Sequence, residues 1–164
     1  MESIKIIIFS ILLAILYGIC HDMVTAQISI EYFTIGHVKI IENESPIILA
    51  LLWGVIATWW VGLILGIALA ISARFGDNPK LNLSDVISPM LALTGIMAVA
   101  AFIAGILGYV LAKQGVFMLA ERLAVQVEPK KHHLFLTAGW SHGASYFVGF
   151  VGGIVLCLLV WNKR

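Results

Sequence analysis

Two stretches of the chain, Ile47 to Ala73 and Met90 to Ala112, contain no Asp, Glu, Lys, Arg or His. Each exceeds the roughly 20 apolar residues that a helix needs to cross the hydrocarbon core of a bilayer. In that medium every backbone polar group must be bonded within its own segment, so the helix is the form such a stretch has to take. Two further segments follow the same pattern. Ile4 to Cys20 is shorter and carries Lys5, whose stem can snorkel to the headgroups. The last runs from Leu134 to Trp161. The expectation is an all-α membrane protein, a bundle of four transmembrane helices spanning about 4–20, 47–73, 90–112 and 134–161, with residues 1–164 forming one integral membrane domain.

The rest of the composition agrees. Charged residues make up 12% of the chain and mean hydropathy is +1.02, whereas roughly a quarter of a soluble domain is charged. A net charge of +1 with no Lys/Arg-rich run leaves no footprint for nucleic acid, so the expected partners are the lipid bilayer and either a second copy of the chain or other membrane subunits. Cys20 and Cys157 belong to no CxxC or zinc pattern and read as small buried apolar residues.

Ser45-Pro46 and Ser88-Pro89 each offer an N-cap hydroxyl followed by a proline suited to the first helical position, and Glu128-Pro129 opens the last segment similarly. Small residues recur at helical spacing: Gly54, Thr58, Gly62, Gly66 and Ala70 in the second span, Thr94, Ala98, Ala101, Gly105, Gly108 and Ala112 in the third, Ser141, Ser145, Gly149, Gly153 and Cys157 in the fourth. Such stripes let helices approach closely in lipid, within one bundle or between copies. "GVFMLAERLAVQVE" reads either as a short amphipathic helix in the interface or as an extension of the third span.

Orientation rests on a thin balance. With the amino terminus inside, the inner set is Lys5, Arg74, Lys80, Lys163 and Arg164 and the outer set is Lys39, Lys113, Arg122, Lys130 and Lys131, so the positive-inside count is level. The acidic first loop and the terminal "WNKR" point to both termini on the cytoplasmic side. A rival reading makes the first segment a cleaved signal peptide, with Lys5 as its basic region and Val24-Thr25-Ala26 as the cleavage site.

All five histidines fall at one end of this layout, with Asp22, Glu31, Tyr109 and Glu121. His142 lies roughly 12 Å into the fourth span at 1.5 Å per residue, a depth at which an ionisable group faces the bundle interior and has a partner. Its partners are sought in "HDMVTAQISIEYFTIGH", where residues 24–32 alternate with the period of a strand and suggest a short hairpin over the bundle mouth. His21, Asp22, Glu31 and His142 form the candidate ligand set for a divalent metal ion, since imidazole plus carboxylate suits zinc, iron or manganese. A neutral His142 bonded to Ser145, Tyr109 or a carbonyl remains open. So do acid–base work by Glu31 and His142 and, less directly, a nucleophilic Ser141 or Ser145.

The stretch just quoted, "ALLWGVIATWWVGLILG" and "GWSHGASYFVGFVGGIVLCLLVWNKR" together resemble a group of small bacterial membrane proteins with His-Asp, Glu-Tyr-Phe-Thr and Ala-Thr-Trp-Trp signatures. The resemblance implies a bacterial inner-membrane protein of four helices and attaches the signatures to His21, Asp22, Glu31 to Thr34, Ala57 to Trp60 and His142 to Tyr146. It supplies no substrate. Three functions are therefore weighed: a polytopic protein with an outer His/carboxylate site for a metal ion or small ligand, an accessory or assembly subunit, and an oligomeric pore or carrier.

Overall fold

The computed structural model describes residues 1–164 and is helical throughout, with no strand. The elements are α1 (Glu2–Ile28), α2 (Glu31–Thr34), α3 (Pro46–Ile56), α4 (Trp59–Arg74), α5 (Leu83–Lys113), α6 (Glu121–Ala124), a 3-10 turn (Pro129–Lys131) and α7 (His132–Lys163). Four helical stretches are long and apolar enough to cross a membrane: α1, the α3–α4 pair, α5, and α7 with its leading 3-10 turn, with mean hydropathies of 2.2 to 2.4.

Burial is turned inside out relative to a soluble domain. Only 31 of 164 residues are buried, and large side chains such as Phe102, Phe147 and Leu158 face outward, 69%, 70% and 59% exposed. The interior combines a few large apolar side chains, Ile6, Leu69, Val86 and Leu156 among them, with many small residues at the closest helix contacts. Gly62 lies against Ser10, Ile11 and Ala14 of α1, Gly66 against Ser10 and Ile7, Gly108 against Trp140, and Gly153 against Leu65. The glycine stripe of the second span is thus covered by α1 of the same chain. α5 packs most extensively on α7, while α1 packs on α4 and α3.

The helices run antiparallel. At one end Glu2 accepts from the Leu83 backbone N–H, and Arg164 donates to the Phe75 carbonyl. At the other end Lys131 pairs with Glu31.

Several sequence expectations change. α1 does not stop at Cys20; it runs on to Ile28, and no hairpin forms. The buried positions Asp22, Thr25, Ala26 and Ser29 recur at helical spacing, so burial follows a period near 3.6 where the polar/apolar alternation implied two. A helix also leaves no unpaired strand edge near lipid depth. α5 starts at Leu83, seven residues before Met90, because Asn82 and Asp85 form a reciprocal capping box; Pro89 therefore lies inside the helix and Ser88 is no cap. Ser45 and Pro46 do open α3, but the Ser45 side chain makes no capping bond.

The second span is interrupted at Ala57-Thr58. There the Thr58 hydroxyl donates to the Gly54 carbonyl and Tyr146 donates to the Ala57 carbonyl. The segment after α5 is neither an amphipathic helix nor an extension of the span. Only Glu121–Ala124 is helical, and Leu119 and Val127 fold back as side-chain plugs against Phe135. Cys20 is exposed, against the burial expected of it.

Candidate metal-binding site

α1 and α7 meet through Tyr17, His21 and Asp22 on one side and His142 and Ser145 on the other, with His142 projecting from the third turn of α7. The His21, Asp22 and His142 donor atoms all lie within 4.8 Å of one another. Asp22 Oδ1 is 3.0 Å from His142 Nε2, and His21 Nε2 is 3.3 Å from His142 Nδ1. His142 Nδ1 is also 2.9 Å from the Ala138 carbonyl one turn back. The side chains of His142 and Asp22 are only 12% and 7% exposed.

This arrangement has an electrostatic consequence. The His142 ring meets an oxygen acceptor at each nitrogen, Ala138 at Nδ1 and Asp22 at Nε2, whereas a neutral imidazole carries one N–H. Its tautomer decides the balance: with Nε2–H donated to Asp22, Nδ1 accepts from His21 Nε2–H, whereas with Nδ1–H donated to Ala138 the Nε2 lone pair faces a carboxylate oxygen at 3.0 Å. In that second tautomer a metal cation between the two converts the repulsion into attraction. The Nδ1–H to carbonyl bond is also the outer contact that orients metal-ligating histidines and leaves Nε2 free to bind.

Aromatic groups wall the cluster. The Tyr32 ring lies 4.4 Å from His142 between centroids, and Tyr17 shares a 2.7 Å hydrogen bond with Ser145. His37 donates from Nδ1 to the Tyr32 carbonyl and packs on Trp53 at 4.4 Å. Burial, with Tyr146 and Asp22 nearby, holds the Tyr32 hydroxyl above the usual tyrosine range. These groups stand at one end of a cavity of about 160 Å³ that continues between α1, α4, α5 and α7 to Leu69, Met90, Leu156 and Cys157.

Of the four expected ligands, three converge and Glu31 does not. Its carboxylate accepts from Lys131 Nζ at 2.5 Å and from the Ser29 hydroxyl at 3.1 Å. The other histidines are engaged elsewhere: His132 donates to the Val127 carbonyl and His133 packs edge-on to Tyr109. Tyr32 belongs to the Glu31-to-Thr34 signature but not to the expected ligand set, and Tyr17 to neither. Tyr17 was discoverable, since it lies one helical turn before His21, but only once α1 is known to continue past Cys20.

Burial alone pushes the Glu31 carboxyl up, and the bonds from Lys131 and Ser29 more than reverse this, holding it below the usual carboxylate range. A depressed folded value means that the pairing stabilises at pH above the ordinary carboxylate range and is lost as pH falls through the folded value. Glu31→Gln is therefore expected to lower the melting temperature at pH 7 and to flatten its decline between about pH 5 and 3. Thermal melts across that range read both effects, and an acid limb identical to the parent's would refute this role.

Comparison of the chain with protein-family models, with curated proteins and with solved structures returns no match. The site's chemistry thus rests on its own geometry.

Proposed function

We propose that this chain is a single-domain integral membrane protein of a bacterial inner membrane that binds one divalent metal ion through His21, Asp22 and His142, at the outer end of the bundle, with both termini cytoplasmic. The observation that carries this reading is the convergence of two imidazoles and one carboxylate, nearly buried, with one ligand atom of each within 4.8 Å of the others. The outward-facing apolar side chains of all four long helices support the membrane setting.

Donors of one tetrahedral zinc, each about 2.0–2.2 Å from the metal, lie roughly 3.4 Å apart, so the Asp22 and His142 atoms at 3.0 Å would open slightly and the wider separations, up to 4.8 Å, would close to hold one. Two His and one Asp leave a coordination position open, the arrangement of metal sites that bind or activate a further ligand. Glu31 is left out of the set because its carboxylate is already paired. No charged side chain other than Asp22 and the histidines lines the cavity, which speaks against a through-going ion path.

Elemental analysis of the purified chain is the direct test, with about one divalent ion per chain expected. Chelation followed by metal restored to 100 times its Kd should recover about 2.7 kcal/mol of stability. Absence of stoichiometric metal, with no metal-dependent shift in melting, would overturn the assignment.

A further inference from the structure

The cavity below the site is long and thin, and its ends differ in chemistry. Its walls follow α7 from His142 to Cys157, about 22 Å at 1.5 Å per residue, and α1 from Asp22 back to Ser10, about 18 Å. Polar groups are concentrated at the His142 end, and beyond Thr58 the wall becomes mainly apolar, with Leu65, Leu93, Met97 and Leu156. Spread over about 20 Å, the 160 Å³ open to water centres has a mean section near 8 Å², a radius of about 1.6 Å. Adding water's 1.4 Å gives a bore of about 3 Å in radius. A methylene chain, about 2 Å in radius from carbon contact distances, passes through such a bore singly and not in pairs.

At the polar end one acceptor is free. Asp22 is 5% exposed, and of its two oxygens only Oδ1 bonds to protein, leaving the other at the cavity. Water is a poor filling for the remainder, because apolar walls offer it too few partners.

We infer that the cleft takes one single-chain amphipath with an oxygen-donor head, a long-chain fatty acid in the simplest case, its head at His21, Asp22 and His142 and its chain running toward Leu156. This rests on the proposed metal, since a carboxylate head beside Asp22 needs a divalent cation to bridge the two negative groups.

Native mass spectrometry of the full chain with added palmitate tests it, because one spectrum reports both metal and lipid. The expected result is one metal and one saturable palmitate per chain, and no adduct with a two-chain phosphatidylcholine. Thr94→Phe, which fills the bore away from the head, should keep the metal and weaken palmitate at least tenfold; Leu93→Phe on the same wall is the second variant should the first fail to fold. Metal without saturable palmitate overturns this inference and leaves the metal site standing. So does palmitate binding equally to the parent and to both folded variants. Palmitate bound to metal-free parent and lost in the variants keeps the chain in the cleft but overturns the metal-bridged seat of its head.

Discussion

His142→Ala is expected to abolish stoichiometric metal binding, weakening affinity on the order of 100-fold or more, since even outer partners of metal ligands typically contribute 10–100-fold. The substitution removes the ring whose Nε2 lies 3.0 Å from Asp22 and whose Nδ1 lies 3.3 Å from His21, leaving one imidazole and one carboxylate. It also deletes the ring on which Tyr32 packs. Asp22→Asn separates these effects. It keeps the volume and the hydrogen-bonding capacity but removes the negative charge, so metal loss without a collapse of the fold is the signature of a true ligand. Glu31→Gln is the contrasting variant, expected to retain the metal because its carboxylate points to Lys131. Isothermal titration with zinc on the three purified variants decides the matter. Wild-type affinity in His142→Ala, or loss of metal in Glu31→Gln, contradicts the assignment of ligands.

The contrast between Glu31 and Asp22 also marks where sequence reasoning ends. The four apolar runs were legible because the bilayer demands length and uncharged character, and both are properties of the string. His142 and Asp22 stood out because an ionisable residue in such a run needs a partner. Which carboxylate partners it depended on the rotation of α1, and that depended on whether residues 24–28 were strand or helix. Read as a strand, Glu31 stands as close to the site as Asp22 does. In the helix that forms, Asp22 turns inward with Thr25 and Ser29, while Glu31 starts a separate turn facing Lys131 in the 3-10 turn before α7. The break at Ala57-Thr58 was equally hidden, since no proline or charge marks it. Its traces are contacts from other helices, Tyr146 on the Ala57 carbonyl and Gly18 against Thr58, which no local pattern encodes. Glycine stripes, by contrast, announce close approach without naming the neighbour, and in the second span that neighbour is α1.

The closest of these approaches sets the site's position and carries the second large effect. A Cβ on Gly54 would lie 2.6 Å from both the Cα and the N of Ile19, and one on Gly18 would lie 2.6 Å from the Gly54 carbonyl oxygen. These are backbone atoms, and no side-chain rotation relieves the clash, so α1 and α3 must separate. Gly54→Ala is expected to destabilise the chain by about 1–3 kcal/mol as an overpacked contact, or roughly 2–4 °C in melting temperature per kcal/mol for a chain of this size. Gly54→Leu should go further and displace the next turn of α1, carrying His21 and Asp22 away from His142 and releasing the metal. Gly95 and Gly143 supply the opposite sign. Nothing lies within 4 Å of a Cβ at either position, so alanine there meets no obstacle and gains about 0.5–1 kcal/mol from the reduced backbone freedom of the unfolded chain. Parallel thermal melts and zinc titrations on Gly54→Ala, Gly54→Leu, Gly95→Ala and Gly143→Ala therefore separate a generic glycine effect from a specific one. Equal losses at all three positions would mean that helix contact at Gly54 does not hold the site together, whereas loss at Gly54 alone ties metal affinity to the distance between α1 and α3.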